Sequence, residues 1–179
     1  MANILDLVQP LRVANQLKVL ISLGHGSEFN DIPLIEDNLA TFAPSVKEFI
    51  TENNLDGFDI DYEFPYFRDN HNFKEVAKKI RAELGNNYLF TITPNNTESL
   101  DGITLNTYFD YVNVQCYEYE KDRKCPISNF TQMEGLSKSK ILAGEDIENK
   151  EDINNAVNKY KDHGLGAGLF HSKYRHNMV

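Results

Sequence analysis

Six short apolar, β-branched or aromatic runs recur along this chain, and the stretches between them carry helical periodicity. The runs are Lys18 to Ser22, Gly57 to Ile60, Tyr88 to Thr93, Tyr111 to Gln115, Lys140 to Ala143 and Gly166 to Phe170. Strands alternating with helices demand crossover connections, so the pattern predicts βα units on a parallel sheet rather than a sandwich. Leu39, Phe42, Val46 and Phe49 to Ile50 repeat at three to four residues, as do Phe73, Val76, Ile80 and Leu84, and then Ile153, Ala156 and Tyr160. Each set makes one apolar stripe for packing on the sheet. Pro44 is comfortable only in a first turn, which predicts a helix start near Ala43. Gly85 and Gly164 are placed to stop helices. Ile4 to Gln16 also reads as helical, kinked or divided at Pro10. With no repeat, low-complexity tract or linker, residues 1–179 are expected to form a single domain.

Charge narrows the partners. Eighteen Lys and Arg against 27 Asp and Glu leave a net charge of −9, a field that repels phosphate backbones and anionic lipid headgroups. Nucleic acid and membrane surfaces are therefore not expected partners. The longest apolar stretches, such as Val19 to Ile21, fall far short of the ~20 residues that cross a bilayer, and Met1 to Gln9 lacks a basic-then-apolar leader pattern, which leaves the compartment open. Cys116 and Cys125 are the only cysteines and lack zinc-site spacing, so neither metal nor cofactor is expected. The pair is close enough for a loop-closing disulfide, and two unpaired thiols fit equally well.

The stretch Leu55-Asp56-Gly57-Phe58-Asp59-Ile60-Asp61-Tyr62-Glu63-Phe64-Pro65 carries the chemistry. On a strand, alternate side chains share a face, so Asp59, Asp61 and Glu63 project together. Three carboxyls on one inward face cannot all ionise cheaply. One should keep its proton, as a general acid near neutral pH requires. A solvated acidic edge or a calcium loop is the structural alternative, although Phe58, Ile60 and Tyr62 read as a buried strand rather than as a curved loop.

Asp56 to Glu63 matches the DGxDxDxE signature of glycoside hydrolase family 18, the chitinases and endo-β-N-acetylglucosaminidases. Neighbouring segments resemble the same family in order. Lys18 to Gly24 resembles its third barrel strand with an SxGG motif, in which His25 replaces the second Gly. Tyr111 to Tyr117, with Gln115 two residues before Tyr117, resembles the sixth strand in the form seen in plant-type chitinases. Gly166 to Phe170 resembles the eighth, with Phe170 where the family usually has Trp. The resemblance implies a TIM-type (β/α) barrel that is incomplete, with about six of eight strands. A full barrel takes ~250 residues, and residues 1–17 have no room for strands 1 and 2. On that reading the chain is N-terminally truncated, bares interior residues such as Leu20 and Leu169, and self-associates through the open edge.

The implied reaction is retaining, substrate-assisted hydrolysis of β-1,4-linked N-acetylglucosamine in chitin, chito-oligosaccharides or the N-glycan core. Family 18 stands outside the usual two-carboxylate scheme. Glu63 would protonate the glycosidic oxygen, and Asp61 would hold the 2-acetamido nitrogen and stabilise the oxazolinium. Asp59 would share a proton with Asp61, and Tyr117 would donate to the acetamido oxygen. Ser22, Gly24, Tyr62, Gln115 and Phe170 are expected to contact substrate, and His25, Glu118 and Glu145 are rim candidates. An inactive carbohydrate-binding homologue and an inactive barrel fragment are the alternative functions, favoured by the absent Trp, by His25 and by the missing strands. Family members are often secreted.

Overall fold

The computed structural model describes residues 18–24, 35–63, 68–116, 125–146 and 166–170. The expected helices over 4–16 and 153–164, together with His25, Tyr117 and Glu118, lie outside them. The elements are β1 (Leu20–Gly24), α1 (Leu39–Glu52), β2 (Gly57–Tyr62), α2 (Asn70–Leu84), β3 (Leu89–Pro94), α3 (Gly102–Tyr108), β4 (Tyr111–Gln115), α4 (Ile127–Thr131), β5 (Ile141–Asp146) and β6 (Gly166–Phe170). A 3₁₀ turn at Lys138–Lys140 leads into β5.

The strands form one sheet in the order β1-β2-β3-β4-β5-β6, and every pair is parallel. A sheet that adds each strand beside the last, with its crossovers packed on one face, is the winding of a (β/α) barrel rather than of a doubly wound fold. Among the described strands it is open, with β1 and β6 at its two ends.

Strand alternation sorts the residues into two rows. The row facing the helices holds Phe58, Ile60 and Tyr62 of β2, Phe90 and Ile92 of β3, Val112 and Val114 of β4, and Ile141 and Ala143 of β5, all buried. Phe58 stacks on Phe90 at 6.0 Å, Phe90 on Phe109 at 4.2 Å and Phe109 on Phe73 at 5.9 Å, forming one aromatic column between sheet and helices. The other row carries Ser22, Gly24, Asp59, Asp61, Thr91, Thr93 and Gln115. Leu20, opposite Gly57, belongs to the interior row, and Leu169 pairs with Glu145 in the register of β5 and β6.

Helix α2 buries Phe73, Val76, Ala77, Ile80 and Leu84, the stripe expected from its spacing. Asp69 caps it by accepting from the Asn72 N–H at 2.8 Å, and Gly85 ends it at φ +62°. Helix α1 corrects two expectations. It starts at Leu39 and carries Pro44 inside. The one helical hydrogen bond the ring removes would end on the carbonyl of exposed Ala40, where water can replace the donor. Its buried residues are Ala43, Val46 and Ile50, with Leu39 and Phe42 partly buried against the core, whereas Phe49, expected in the stripe, is 44% exposed. The cysteines are joined: Cys116, just past β4, pairs with Cys125 and closes the intervening segment.

Candidate active site

The acidic strand sits second in the described sheet, so Asp59 is flanked on both sides. Register places Ser22 and Thr91 opposite it, and Gly24 and Thr93 opposite Asp61. The Asp59 carboxylate, 8% exposed, accepts from the Ser22 hydroxyl at 2.7 Å, from the Thr91 hydroxyl at 2.5 Å and from the Thr93 hydroxyl at 3.0 and 3.1 Å. Both oxygens are engaged. A buried carboxylate with three convergent hydroxyl donors has its desolvation offset by hydrogen bonding and is fixed in one orientation.

Asp61 lies one step nearer the C-terminal ends of the strands and is half-buried. Its Oδ1 accepts from Gln115 Nε2 at 2.8 Å, and the same nitrogen donates to the Thr93 carbonyl at 3.1 Å. Gln115 is 1% exposed, and its Oε1 is buried without a hydrogen-bond partner among the described residues. Gln115 thus faces the carboxyl row from two strands away. Gly24 is needed where β1 passes β2. Its φ is +126°, and a Cβ there would overlap the Asp61 carbonyl oxygen.

Glu63 follows the last residue of β2 and is half-buried. The loop after β3 binds the backbone beneath it: the Asn95 N–H donates to the Tyr62 carbonyl at 3.0 Å, and Asn96 Nδ2 to the Glu63 carbonyl at 3.3 Å. Asp59, Asp61 and Glu63 therefore occupy successive depths, from a buried and saturated group to one at the rim.

Tyr62 departs from its expected substrate contact. Alternation turns it to the helix-facing row, where it is fully buried and donates its hydroxyl to the Glu98 carbonyl at 2.5 Å. It is a packing and loop-anchoring residue. Ser22 reaches the site through Asp59, and Gly24 through backbone contact with Asp61. Glu145 lies within β5 rather than beyond it, paired in register with Leu169. Phe170 ends β6 opposite Asp146, at a register position continuous with Gln115 and Gly144. Thr91, Thr93, Asn95 and Asn96 were not among the expected site residues. The Thr-x-Thr alternation within the Tyr88 to Thr93 run was the available signal for the first two. Among the described residues no group of three or more His, Cys, Asp and Glu is arranged to hold a metal ion.

A sequentially wound parallel sheet with an acidic row rising to the C-terminal ends of its strands defines a barrel-type protein whose site, as in barrel enzymes generally, lies at that end. Residues 4–172 match the sequence model of the family described as Glycosyl hydrolases family 18, and the chain belongs to that family of glycosidases. It is 30% identical over 118 residues to probable chitinase 2 of Drosophila melanogaster, an alignment covering 58% of this chain and 24% of the fly protein. It is 28% identical over 120 residues to chitinase 1 of Aphanocladium album, covering 58% and 28%. The matched stretch thus spans about a quarter of the length of these relatives.

Among solved structures, a GH18 chitinase from Pseudoalteromonas aurantia superposes with a TM-score of 0.75 at 20% identity, covering 99% of this chain and 79% of that one. A chitinase from Rhizomucor miehei gives 0.74 at 12% identity, covering 96% and 82%. Human YKL-39, described as a pseudo-chitinase with retained chitooligosaccharide binding properties, gives 0.63 at 16%, covering 80% and 51%. These likenesses establish the TIM-type barrel fold, of which the described sheet is an open part.

Proposed function

We propose that this chain hydrolyses β-1,4 bonds between N-acetylglucosamine units, in chitin, chito-oligosaccharides or the N-glycan core, by a retaining, substrate-assisted route. On this reading β1 to β6 stand for the third to eighth strands of the family barrel. The observation that carries the proposal is the graded carboxyl row, with Asp59 locked by three hydroxyls, Asp61 held by Gln115, and Glu63 at the rim.

Glu63 donates its proton to the glycosidic oxygen as the bond to the leaving sugar breaks. The substrate's own acetamido carbonyl attacks the anomeric carbon from the opposite face. Asp61, turning from Gln115, accepts the acetamido N–H and stabilises the oxazolinium, while Asp59 shares a proton with it from below. Tyr117, two residues beyond Gln115, donates to the acetamido oxygen and aligns it for attack, which is where proximity lowers the barrel site's entropic cost. Water activated by Glu63, now the base, opens the oxazolinium and restores the acid. Phe170 offers a ring face to a sugar. A second copy of the chain covers the open ends of the sheet at β1 and β6.

The test compares the parent chain with Glu63→Gln on an unactivated chito-oligosaccharide. Loss of general acid catalysis should lower the rate by about 10² or more. A rate within a few-fold of the parent removes Glu63 from the role, and tight binding with no turnover by the parent identifies a lectin-like protein instead.

A further inference from the structure

Glu63 stands one residue past the end of β2, where the sheet's own hydrogen bonding gives out. Register ends at the pair Tyr62 and Pro94, and Pro94 has no N–H to donate. The Asn95 N–H extends the pairing by one bond, to the Tyr62 carbonyl. The next acceptor, the carbonyl of Glu63 itself, takes its hydrogen from a side chain, Asn96 Nδ2 at 3.3 Å.

We infer that Asn96 is a positioning residue for the proton donor, holding the Glu63 backbone at the height from which its carboxyl reaches the glycosidic oxygen; this rests on the proposed role of Glu63. The Asn96 amide is committed on both ends. Nδ2 also donates to Asn95 Oδ1 at 2.7 Å, and Oδ1 accepts the Glu98 N–H at 2.9 Å, closing a turn in the same loop. Two acceptors face the nitrogen and one donor faces the oxygen, so the amide has a single favourable orientation. Tyr62 anchors the loop from beneath through its bond to the Glu98 carbonyl. The loop after β3 and the strand end bearing Glu63 are thereby tied at three points within four residues of each other on either side. Of these three, the Asn96 bond is the one that falls on Glu63.

Two variants isolate that bond. Asn96→Asp keeps an acceptor for the Glu98 N–H but sets an oxygen against the Glu63 carbonyl. Asn96→Ser retains a turn-forming hydroxyl that is too short to reach Glu63. Each is assayed with an unactivated chito-oligosaccharide and with an aryl chitobioside whose acidic phenol leaves with little protonation. A displaced acid should lower kcat about ten-fold or more on the first substrate and no more than about three-fold on the second. Affinity for an oligosaccharide, titrated in the Glu63→Gln background, should change by less than about two-fold.

Equal losses on both substrates, or a loss confined to affinity, overturn the assignment of Asn96 while leaving that of Glu63 standing. So does loss of cooperative unfolding in both variants, which would make Asn96 a residue of the fold alone. A parent chain that hydrolyses neither substrate overturns both assignments together.

Discussion

Replacing Thr91 with Val removes one donor from Asp59 and almost nothing else, since the side chains are nearly isosteric. Thr91 is 5% exposed, so water does not take the vacated place, and Asp59 Oδ1 keeps only the Thr93 hydroxyl at 3.0 Å among these donors. A hydrogen bond to a charged group contributes about 1.5–3 kcal/mol, against about 0.5–1.5 for a neutral pair. Thr91→Val should therefore destabilise by about 1.5–3 kcal/mol, a fall of about 3–12 °C in Tm at 2–4 °C per kcal/mol for a domain of this size. Thr91→Ser keeps the hydroxyl and loses one buried methyl, about 0.8 kcal/mol. Urea unfolding followed by circular dichroism reads both. Placed on Asp59→Asn, where the acceptor is neutral, the Thr91→Val cost should shrink to about 0.5–1.5 kcal/mol, giving a coupling of about 1 kcal/mol from the midpoints of the two ranges. An Asp59→Asn background that leaves the cost unchanged, or a Thr91→Ser cost equal to that of Thr91→Val, would refute the view that this hydroxyl serves the carboxylate.

Three further outcomes are expected. Asp61→Asn should lower hydrolysis by about 10² or more, most severely where the substrate's acetamido group must be the nucleophile; an unchanged rate on N-acetylated oligosaccharide removes Asp61 from the reaction. Reducing the Cys116–Cys125 bond, which spans a sequence separation of 9, should cost about 2–3 kcal/mol through the entropy of the unfolded chain, read as a lower urea midpoint with dithiothreitol than without. An unmoved midpoint, repeated with Cys116→Ser/Cys125→Ser, would show that the link stabilises nothing. Size-exclusion with light scattering should report a dimer or larger species, in keeping with exposed Ile21 and Ser22 on end strand β1, and a monomer at every concentration would refute self-association.

What the sequence by itself determined is what depends on near neighbours. The period of two along a strand was enough to put Asp59, Asp61 and Glu63 on one side and Phe58, Ile60 and Tyr62 on the other. The period of 3.6 gave the buried stripe of α2, and Gly85 its end. These follow from backbone geometry that any short segment carries with it. The same alternation sets Tyr62 on the side of Phe58 and Ile60, away from the carboxyl row.

Tertiary structure decided everything that rests on distant partners. The donors to Asp59 lie 37 residues before it and 32 and 34 after it, and the Gln115 amide on Asp61 lies 54 away. No local rule selects Ser22, Thr91 and Thr93 from the chain's other hydroxyls. Parallel register does, by setting one position of β1 and one of β3 against each residue of β2. Packing also overrode local preference in α1, where Pro44 is tolerated because its lost bond faces solvent and Phe49 stays exposed while its neighbour Ile50 is fully buried. Asn96 had no readable role in sequence, because its meaning is the carbonyl of Glu63, 33 residues away, which comes within reach only when β2 and β3 pair.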